Sequence, residues 1–175
     1  EIGARHDRFA RDLLVQHGGI EIDKTDGFLF IFERPIDAVR YALAYHDALD
    51  RLSSEIAVPL KARAGLHTGE VVLHENAPAD VPRGAKPIEV EGLAKPVAAR
   101  VMSLAQGRQT LLTRTAFDLA RRASVGEASL NEKIAWLDHG PYRFKGVTEP
   151  LDVCEVGREQ FAPLGPPPDS EKAKR

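Results

Sequence analysis

A predicted β-hairpin near the start of the chain constrains the fold most strongly. Ile20 and Ile22 alternate with two acidic residues, a bend follows with its tip at 24–27, and the run 28–32 is wholly apolar. Such a run predicts a strand that is buried on both faces. Because the strands of a hairpin are antiparallel, a sheet that contains this element has an antiparallel part.

Helical periodicity predicts helices around this hairpin. Apolar residues recur at helical spacing from about Arg5 to Gln16, and again from Pro35 to about Ser53. Pro96 is predicted to be the first residue of a third helix, because proline suits the first turn of a helix. Thr113 is predicted to cap a fourth helix over 114–123.

The remaining strands are expected to complete a mixed sheet. The segment 60–73 alternates like one long strand kinked at Gly65 and Gly69, and 74–87 is predicted to be a surface loop. Further strands are predicted at 88–92, 109–113, 142–146 and 151–156, the last two as a second hairpin. The sequence therefore predicts an α/β (α+β) domain with a ferredoxin-like split βαβ core. Its sheet should be mixed, largely antiparallel and flanked by helices, unlike a doubly wound Rossmann sheet.

Length and composition indicate one compact domain. The chain has 175 residues, of which 43% are hydrophobic. We expect the domain to cover 1–157, and the proline-rich, charged segment 158–175 to be a linker or tail. A net charge of −2 without long runs of like charge argues against nucleic-acid or membrane-surface partners. The single cysteine and the lack of any apolar run near the roughly 20 residues that span a bilayer predict a cytoplasmic location.

Three residues are candidates for phosphate or metal chemistry. Asp26 lies at the predicted hairpin tip, where a carboxylate suits Mg²⁺, although Asp-Gly is also a common turn dipeptide. Arg100 carries planar donors that match phosphate oxygens, and Lys145 could meet a terminal phosphate as a point charge. Taken singly, each is more simply a turn or surface residue. His46 falls in an apolar helical stripe and is predicted to be a core histidine, since no second ligand lies at metal-binding spacing.

The order of motifs along the chain is more specific than any single residue. The motifs are HGGIEIDKTDGFLFIF (17–32), PIDAVRYAL (35–43), ARAGLHTGEVV (62–72), GLAKPVAAR (92–100) and RFKGVTEPLDVCEV (143–156). In this order they resemble the catalytic domain of class III nucleotidyl cyclases, the adenylate and guanylate cyclases. The resemblance covers roughly residues 5 to 156.

The resemblance implies an enzyme that forms 3′,5′-cyclic AMP or cyclic GMP from the nucleoside triphosphate and releases pyrophosphate. It implies a homodimer with the nucleotide and two divalent ions, Mg²⁺ or Mn²⁺, at the subunit interface. Asp26 matches one of two metal-binding aspartates, Arg100 matches an arginine that stabilises the transition state from the partner subunit, and Lys145 matches a lysine on the triphosphate. The ions would activate the ribose 3′-hydroxyl for attack on the α-phosphorus.

The residues that choose the base are ambiguous, because the hairpin is one residue shorter than the family pattern. Anchoring on the preceding glycines places Asp23 at the base-selecting position, whereas anchoring on Lys-Thr places Lys24 there. Only one of these neighbours can face the base, since strand side chains alternate. Glu89 matches the second selector. Adenine-specific members present a lysine and an acid, so Lys24 with Glu89 slightly favours ATP over GTP.

Two further departures concern activity. The family's first strand, which carries the other metal aspartate, has no counterpart in the sequence that begins at Glu1. Pro96 stands four residues before Arg100, where the family usually has an asparagine that orients the ribose. The sequence therefore leaves an alternative open, in which a degenerate cyclase domain acts as a dimerisation or nucleotide-sensing regulatory module.

Overall fold

A computed structural model describes residues 1–25, 27–127, 133–161 and 164–175. The described helices are α1 (Ile2–Gln16), α2 (Pro35–Ile56), α3 (Ala94–Leu104) and α4 (Arg114–Ser124), with a 3-10 turn at Val81–Arg83. The described strands are β1 (Ile20–Lys24), β2 (Phe28–Ile31), β3 (Ala64–Leu66), β4 (Val72–Glu75), β5 (Ile88–Glu91), β6 (Thr110–Thr113), β7 (Ile134–Phe144), β8 (Leu151–Arg158) and β9 (Ala173–Lys174).

The strands form one five-stranded sheet and two antiparallel ribbons. The sheet has the order β3-β6-β8-β7-β9, in which β3 and β6 are parallel and the other neighbours antiparallel. The ribbons are β1–β2 and β4–β5. The predicted fold class, a mixed and mainly antiparallel sheet flanked by helices, is confirmed.

Helices cover both faces of the sheet because side chains on β6 alternate between them. Leu112 packs with the α2 and α4 side chains, including Val39 and Phe117. Leu111 packs on the opposite face with Val101 of α3. All five of these side chains are at most 3% exposed, so each contributes roughly 1.5–3 kcal/mol of burial free energy. The central sheet is thereby fixed between two apolar layers.

The helices begin and end close to their predicted positions. The first begins three residues earlier than expected, at Ile2, and the second runs three residues further, to Ile56. Pro96 is the third residue of α3 rather than its first. This position costs little, because the first N–H groups of a helix have no partner within the helix.

The single long strand predicted at 60–73 is wrong. Its two halves, β3 and β4, lie in different sheets. The reason is the close approach of α3 to β3, where a Cβ atom built on Gly65 would overlap the backbone nitrogen of Met102. With α3 seated on β3, the chain leaves the sheet after Leu66 and re-forms a strand in the β4–β5 ribbon.

The strand predicted to be buried on both faces is only half-buried. All four residues of β2 have intermediate exposure, and in the described part of the chain β2 pairs with β1 alone. One face packs on α2, where the Phe30 and Tyr41 rings lie 5.2 Å apart. The hairpin also contains a bulge between Glu21 and Asp23.

The end of the chain departs from the tail predicted for 158–175. Residues 173–174 form β9, which pairs with β7, and Ala173 is only 2% exposed. The Tyr142 hydroxyl donates to the Pro167 carbonyl at 2.8 Å. Proline-rich composition therefore marks an extended segment that lies on the domain, because its backbone groups find partners on the sheet.

Buried polar groups anchor the same segment. The Glu155 side chain is fully buried, and its Oε1 accepts from Gln109 Nε2 at 2.7 Å and from the Gly165 N–H at 3.2 Å. His139 Nε2 lies 2.8 Å from the same oxygen. Gln109 also donates to the Gly165 carbonyl at 2.9 Å. A buried carboxylate is costly without donors, so this cluster ties 164–175 to the sheet.

Candidate functional site

Arg100 lies against Gly146, the residue that follows Lys145, where α3 meets the turn between β7 and β8. Gly146 adopts a φ of +79°, and a Cβ atom built on it would lie 3.1 Å from Nη1 of Arg100. The guanidinium therefore lies directly over this glycine, beside the exposed Lys145. Among the described residues, neither cation has a carboxylate within 4.0 Å. Two unpaired cations at one turn form a site suited to phosphate oxygens.

Asp23 faces the β4–β5 ribbon and the start of α3. Its Oδ1 lies 2.8 Å from the Lys86 ammonium and also accepts the Lys24 N–H at 2.8 Å. Lys95 is 4.0 Å from Oδ2. The Asp23 side chain is only 14% exposed, and the hydrogen bond from Lys86 holds its pKa below the usual range. This carboxylate is therefore charged and fixed in position near neutral pH.

Lys24 points away from Asp23 and contacts α1. Its ammonium pairs with Asp7 and lies 5.2 Å from the centre of the Phe28 ring. The pKa of Asp7 is lowered, chiefly by its hydrogen bond from Lys24. The two candidate base-selecting neighbours thus lie on opposite sides of the hairpin, as the alternation of a strand requires.

Glu89 is exposed on β5, opposite His74 of β4. Its carboxylate accepts a hydrogen bond from Asn76 Nδ2 at 3.2 Å. Because Lys24 is paired with α1 and Glu89 with the β4–β5 ribbon, the structure does not bring these two residues together in a contact.

The metal site that the resemblance implies requires Asp26 and a second aspartate. Asp26, the predicted ligand, lies outside the described residues. Within the ranges that are described, no group of three or more His, Cys, Asp or Glu side chains could hold a metal ion. Pro96 is exposed on α3, one turn before Arg100, and offers no side-chain donor or acceptor there.

Sequence reasoning missed the lysines that hold Asp23. Lys86 lies in the segment predicted to be loop, and Lys95 precedes Pro96 in the helix motif. No spacing rule links either residue to the hairpin, because their proximity depends on how the β4–β5 ribbon folds back. The motif GLAKPVAAR contained Lys95, so the resemblance was the one signal available for it.

Burial determines the charge of two histidines, His46 and His67. His46 is buried beside the Thr110 hydroxyl, at 3.0 Å, which confirms it as a core histidine. Burial lowers its pKa to about 4. His67 is half-buried with Nδ1 2.7 Å from the Thr113 hydroxyl, and burial lowers its pKa too. Both rings are therefore neutral at pH 7, and neither supplies a positive charge to the site.

Solved structures of nucleotide cyclases share this fold. The adenylyl cyclase CyaB from P. aeruginosa superposes with a TM-score of 0.73 at 15% identity, over 89% of this chain and 80% of that one. The guanylyl cyclase Cya2 gives 0.67 at 21% identity, over 92% and 81%. An adenylate/guanylate cyclase/hydrolase from Silicibacter pomeroyi gives 0.66 at 19% identity, over 89% and 85%. The chain thus has the fold of class III adenylyl and guanylyl cyclase catalytic domains.

Sequence comparisons find relatives of this chain, but the names of these relatives state no function. No family model matches the chain. Uncharacterized proteins from Mycobacterium tuberculosis and Mycobacterium bovis are 30% identical over 169 residues, which is 92% of this chain and 50% of each relative. The chain therefore spans about half the length of the curated relatives that it matches. No helix in the described part of the chain has the length and apolar character needed to span a membrane.

Proposed function

We propose that this chain is the catalytic domain of a nucleotidyl cyclase, which converts ATP or GTP to the 3′,5′-cyclic nucleotide and pyrophosphate. The observation that carries the proposal is the pair of unpaired cations at the α3 and β7–β8 junction. Arg100 lies over Gly146 beside Lys145, and both match the positions of the family motif. Two cations without carboxylate partners at neighbouring positions, in a chain with the cyclase fold, suit the binding of a triphosphate.

The two cations have different parts in the reaction. The ribose 3′-oxygen forms a bond to the α-phosphorus while the bond to pyrophosphate breaks, so negative charge grows on the phosphate oxygens. Arg100 offers a planar fork of donors to those oxygens, and removing one such donor costs on the order of 10²–10³ in rate. Lys145 binds the triphosphate as a point charge, and its exposed side chain is free to reach it.

Metal ions are part of the proposal through Asp26. Two Mg²⁺ or Mn²⁺ ions, when bound, would activate the 3′-hydroxyl and neutralise the leaving pyrophosphate. The described residues do not by themselves form a two-metal site. A second aspartate on a strand preceding Glu1 would complete it. In the described part of the chain, β2 pairs only with β1 and β3 only with β6, so each has an edge that such a strand could use.

The contacts of the hairpin bear on the choice of base. Lys24, on which the sequence argument for ATP depends, is paired with Asp7 on the α1 side. Asp23 faces β5 and α3, where the second selector and Arg100 are carried. An acid at the first selecting position is the pattern of guanine-specific members. This arrangement supports Asp23 as the base-facing residue and weakens the preference for ATP, so both nucleotides must be assayed.

A homodimer is proposed because the family forms its site between two subunits. Apolar side chains on β4 and just before α3 are exposed, and they offer a surface for a second copy. Val72, Leu73 and Leu93 are 57%, 47% and 83% exposed. Exposed apolar residues grouped on one part of a domain often mark an interface. Sedimentation of the wild type and a Leu93→Glu variant would test this surface.

The test of the proposed function is direct. Full-length protein is incubated with Mn²⁺ and either ATP or GTP, and cyclic product is measured by mass spectrometry. Arg100→Ala should lower product formation by about 10²-fold or more. Arg122→Ala is the matched control, since Arg122 is exposed on α4 and has no ion pair among the described residues. A wild-type protein that makes no cyclic product at high concentration would refute the proposal.

The alternative function is a degenerate cyclase domain that dimerises or senses nucleotide. Pro96 favours it, because an exposed proline stands where the family orients the ribose. Pro96→Asn separates the two functions. A gain of about 10²-fold in product formation would identify a cyclase that proline has slowed. Nucleotide binding with no product in either form would identify a regulatory module.

A further inference from the structure

The C-terminal strand β9 carries lysines to the edge of β7, next to the proposed phosphate site. Arg143 and Lys174 are direct cross-strand partners. The Lys145 N–H donates to the Lys172 carbonyl at 2.9 Å, one step further along the same pairing. All four side chains are exposed. The pairing therefore aligns four cations, Arg143, Lys145, Lys172 and Lys174, along one sheet edge, which we call the β7–β9 groove.

This alignment is unfavourable for the protein alone. Like charges directly opposite each other on neighbouring strands repel. Within the described ranges, none of the four cations has a carboxylate within 4.0 Å. They line an open surface depression of about 250 Å³, in which Glu171 is the one acidic lining residue among those described. A groove with four cations and one acid has a net positive charge that a bound anion would balance.

The short extent of the positively charged edge favours a short polyphosphate. The chain carries a net charge of −2, so the positive field is local to this edge. A nucleic-acid backbone would need basic side chains spread over a longer face. Lys145 lines the groove and directly precedes Gly146, over which the Arg100 guanidinium lies.

We propose that Lys172 and Lys174 of β9 bind the polyphosphate of the nucleotide, together with Arg143 and Lys145. The proposal rests on the proposed cyclase function only for the identity of the nucleotide, because the groove would bind an inorganic polyphosphate in the same way. The segment that follows Arg158 thereby contributes to the site, although its sequence predicts a tail.

Binding without catalysis tests this inference. Calorimetric titrations of the full-length protein with tripolyphosphate, ATP, AMP and a single-stranded oligonucleotide are made without divalent ions. A Lys172→Gln/Lys174→Gln variant removes the two charges while keeping side-chain length. The matched control is Lys61→Gln/Lys133→Gln, two exposed lysines at the far end of the sheet, where β7 begins and the chain enters β3.

The expected result is tighter binding of tripolyphosphate and ATP than of AMP. An exposed ion pair is worth a factor of up to about five in affinity, so the β9 variant should bind tripolyphosphate about tenfold more weakly than wild type. The control should bind like wild type. Added salt should weaken wild-type binding more than binding by the β9 variant. Thermal unfolding of the β9 variant should occur at or slightly above the wild-type temperature, because both lysine side chains are exposed and the repulsion between like charges is reduced.

Three results would overturn the inference. The first is a wild type that does not bind tripolyphosphate at low ionic strength, and the second is an equal loss of affinity in both double variants. The third is an oligonucleotide that binds more tightly than tripolyphosphate in a manner that depends on the β9 lysines. Tripolyphosphate binding that depends on Lys172 and Lys174 in a protein without cyclase activity would refute the proposed function and leave the groove established. Cyclase activity in a protein whose β9 variant binds tripolyphosphate as tightly as wild type would support the proposed function and refute the role of Lys172 and Lys174.

Discussion

His46 should make the stability of the domain depend on pH. Its ring is 5% exposed, and burial, with a smaller effect of Arg108, lowers its pKa from 6.5 to about 4. Asp47 and Asp50 oppose this lowering only in part. Between these two pKa values the unfolded chain binds a proton that the folded protein excludes. The free energy of unfolding therefore falls as the pH is lowered from about 6.5 towards 4, and is retained above that range.

The size of the effect follows from the two pKa values. Each pKa unit corresponds to about 1.36 kcal/mol, so the lowering from 6.5 to about 4 is worth about 3 kcal/mol in total. Most of this loss of unfolding free energy occurs at pH values near and below 6.5, the pKa of the histidine in the unfolded chain. Between pH 7 and pH 5, linkage gives a loss of about 2 kcal/mol from this residue. That is a large part of the roughly 5–15 kcal/mol that stabilises a domain.

Urea denaturation of wild type and His46→Gln at pH 7 and pH 5 measures this contribution. Glutamine can still donate to the Thr110 hydroxyl, which lies 3.0 Å from the ring, but it does not titrate. Other groups titrate equally in both proteins, so the difference between their pH dependences isolates His46. Wild type should lose about 2 kcal/mol more than the variant. Equal losses in the two proteins would show that the ring is protonated in the fold and would refute the reasoning.

Three further predictions concern packing and the C-terminal segment. Gly65→Ala should destabilise the domain by about 1–3 kcal/mol or more in urea denaturation, because its methyl group would overlap the Met102 backbone. The control Gly3→Ala should not destabilise the domain, because no atom lies within 4 Å of the new Cβ. Tyr142→Phe should cost about 1 kcal/mol and speed proteolysis after β8, since a carbonyl of the C-terminal segment loses its buried donor; unchanged proteolysis would contradict this role. The Cys154 thiol is fully buried, and burial raises its pKa to about 11. A thiol reagent at pH 8 should therefore label Cys154 only in denaturant. Labelling of the native protein would contradict this packing.

Local patterns were sufficient to predict the helices and the fold class. The helical stripe from Pro35 placed α2 to within three residues of its end, because an amphipathic helix repeats its pattern over many turns. The hairpin at 20–31 and the pairing of β7 with β8 were also predicted, since short connections force neighbouring strands together, but β7 begins at Ile134, eight residues before the strand predicted at 142–146. Motif order then identified the cyclase fold, which the structural comparisons confirm.

Contacts between distant segments could not be predicted in this way. The division between β3 and β4 depends on the backbone of α3 at Met102, some 37 residues after Gly65. The ion pair between Asp23 and Lys86 depends on the fold of the β4–β5 ribbon. Alternation along β8 does not reveal that Glu155 is buried, because its partners come from three other segments. These features are set by tertiary packing, which overrides local propensity.

The docked C-terminal segment determines where this protein can be shortened. A chain ended at Arg158, close to the boundary that composition alone would choose, would lose the Gly165 groups that bind Glu155 and Gln109. Water would then reach the Glu155 carboxylate, which is fully buried in the intact protein. The outer edge of β7 would also lose its cover, and an uncovered strand edge is a template for aggregation. Expression of the domain for structural work should therefore retain the chain through Lys174.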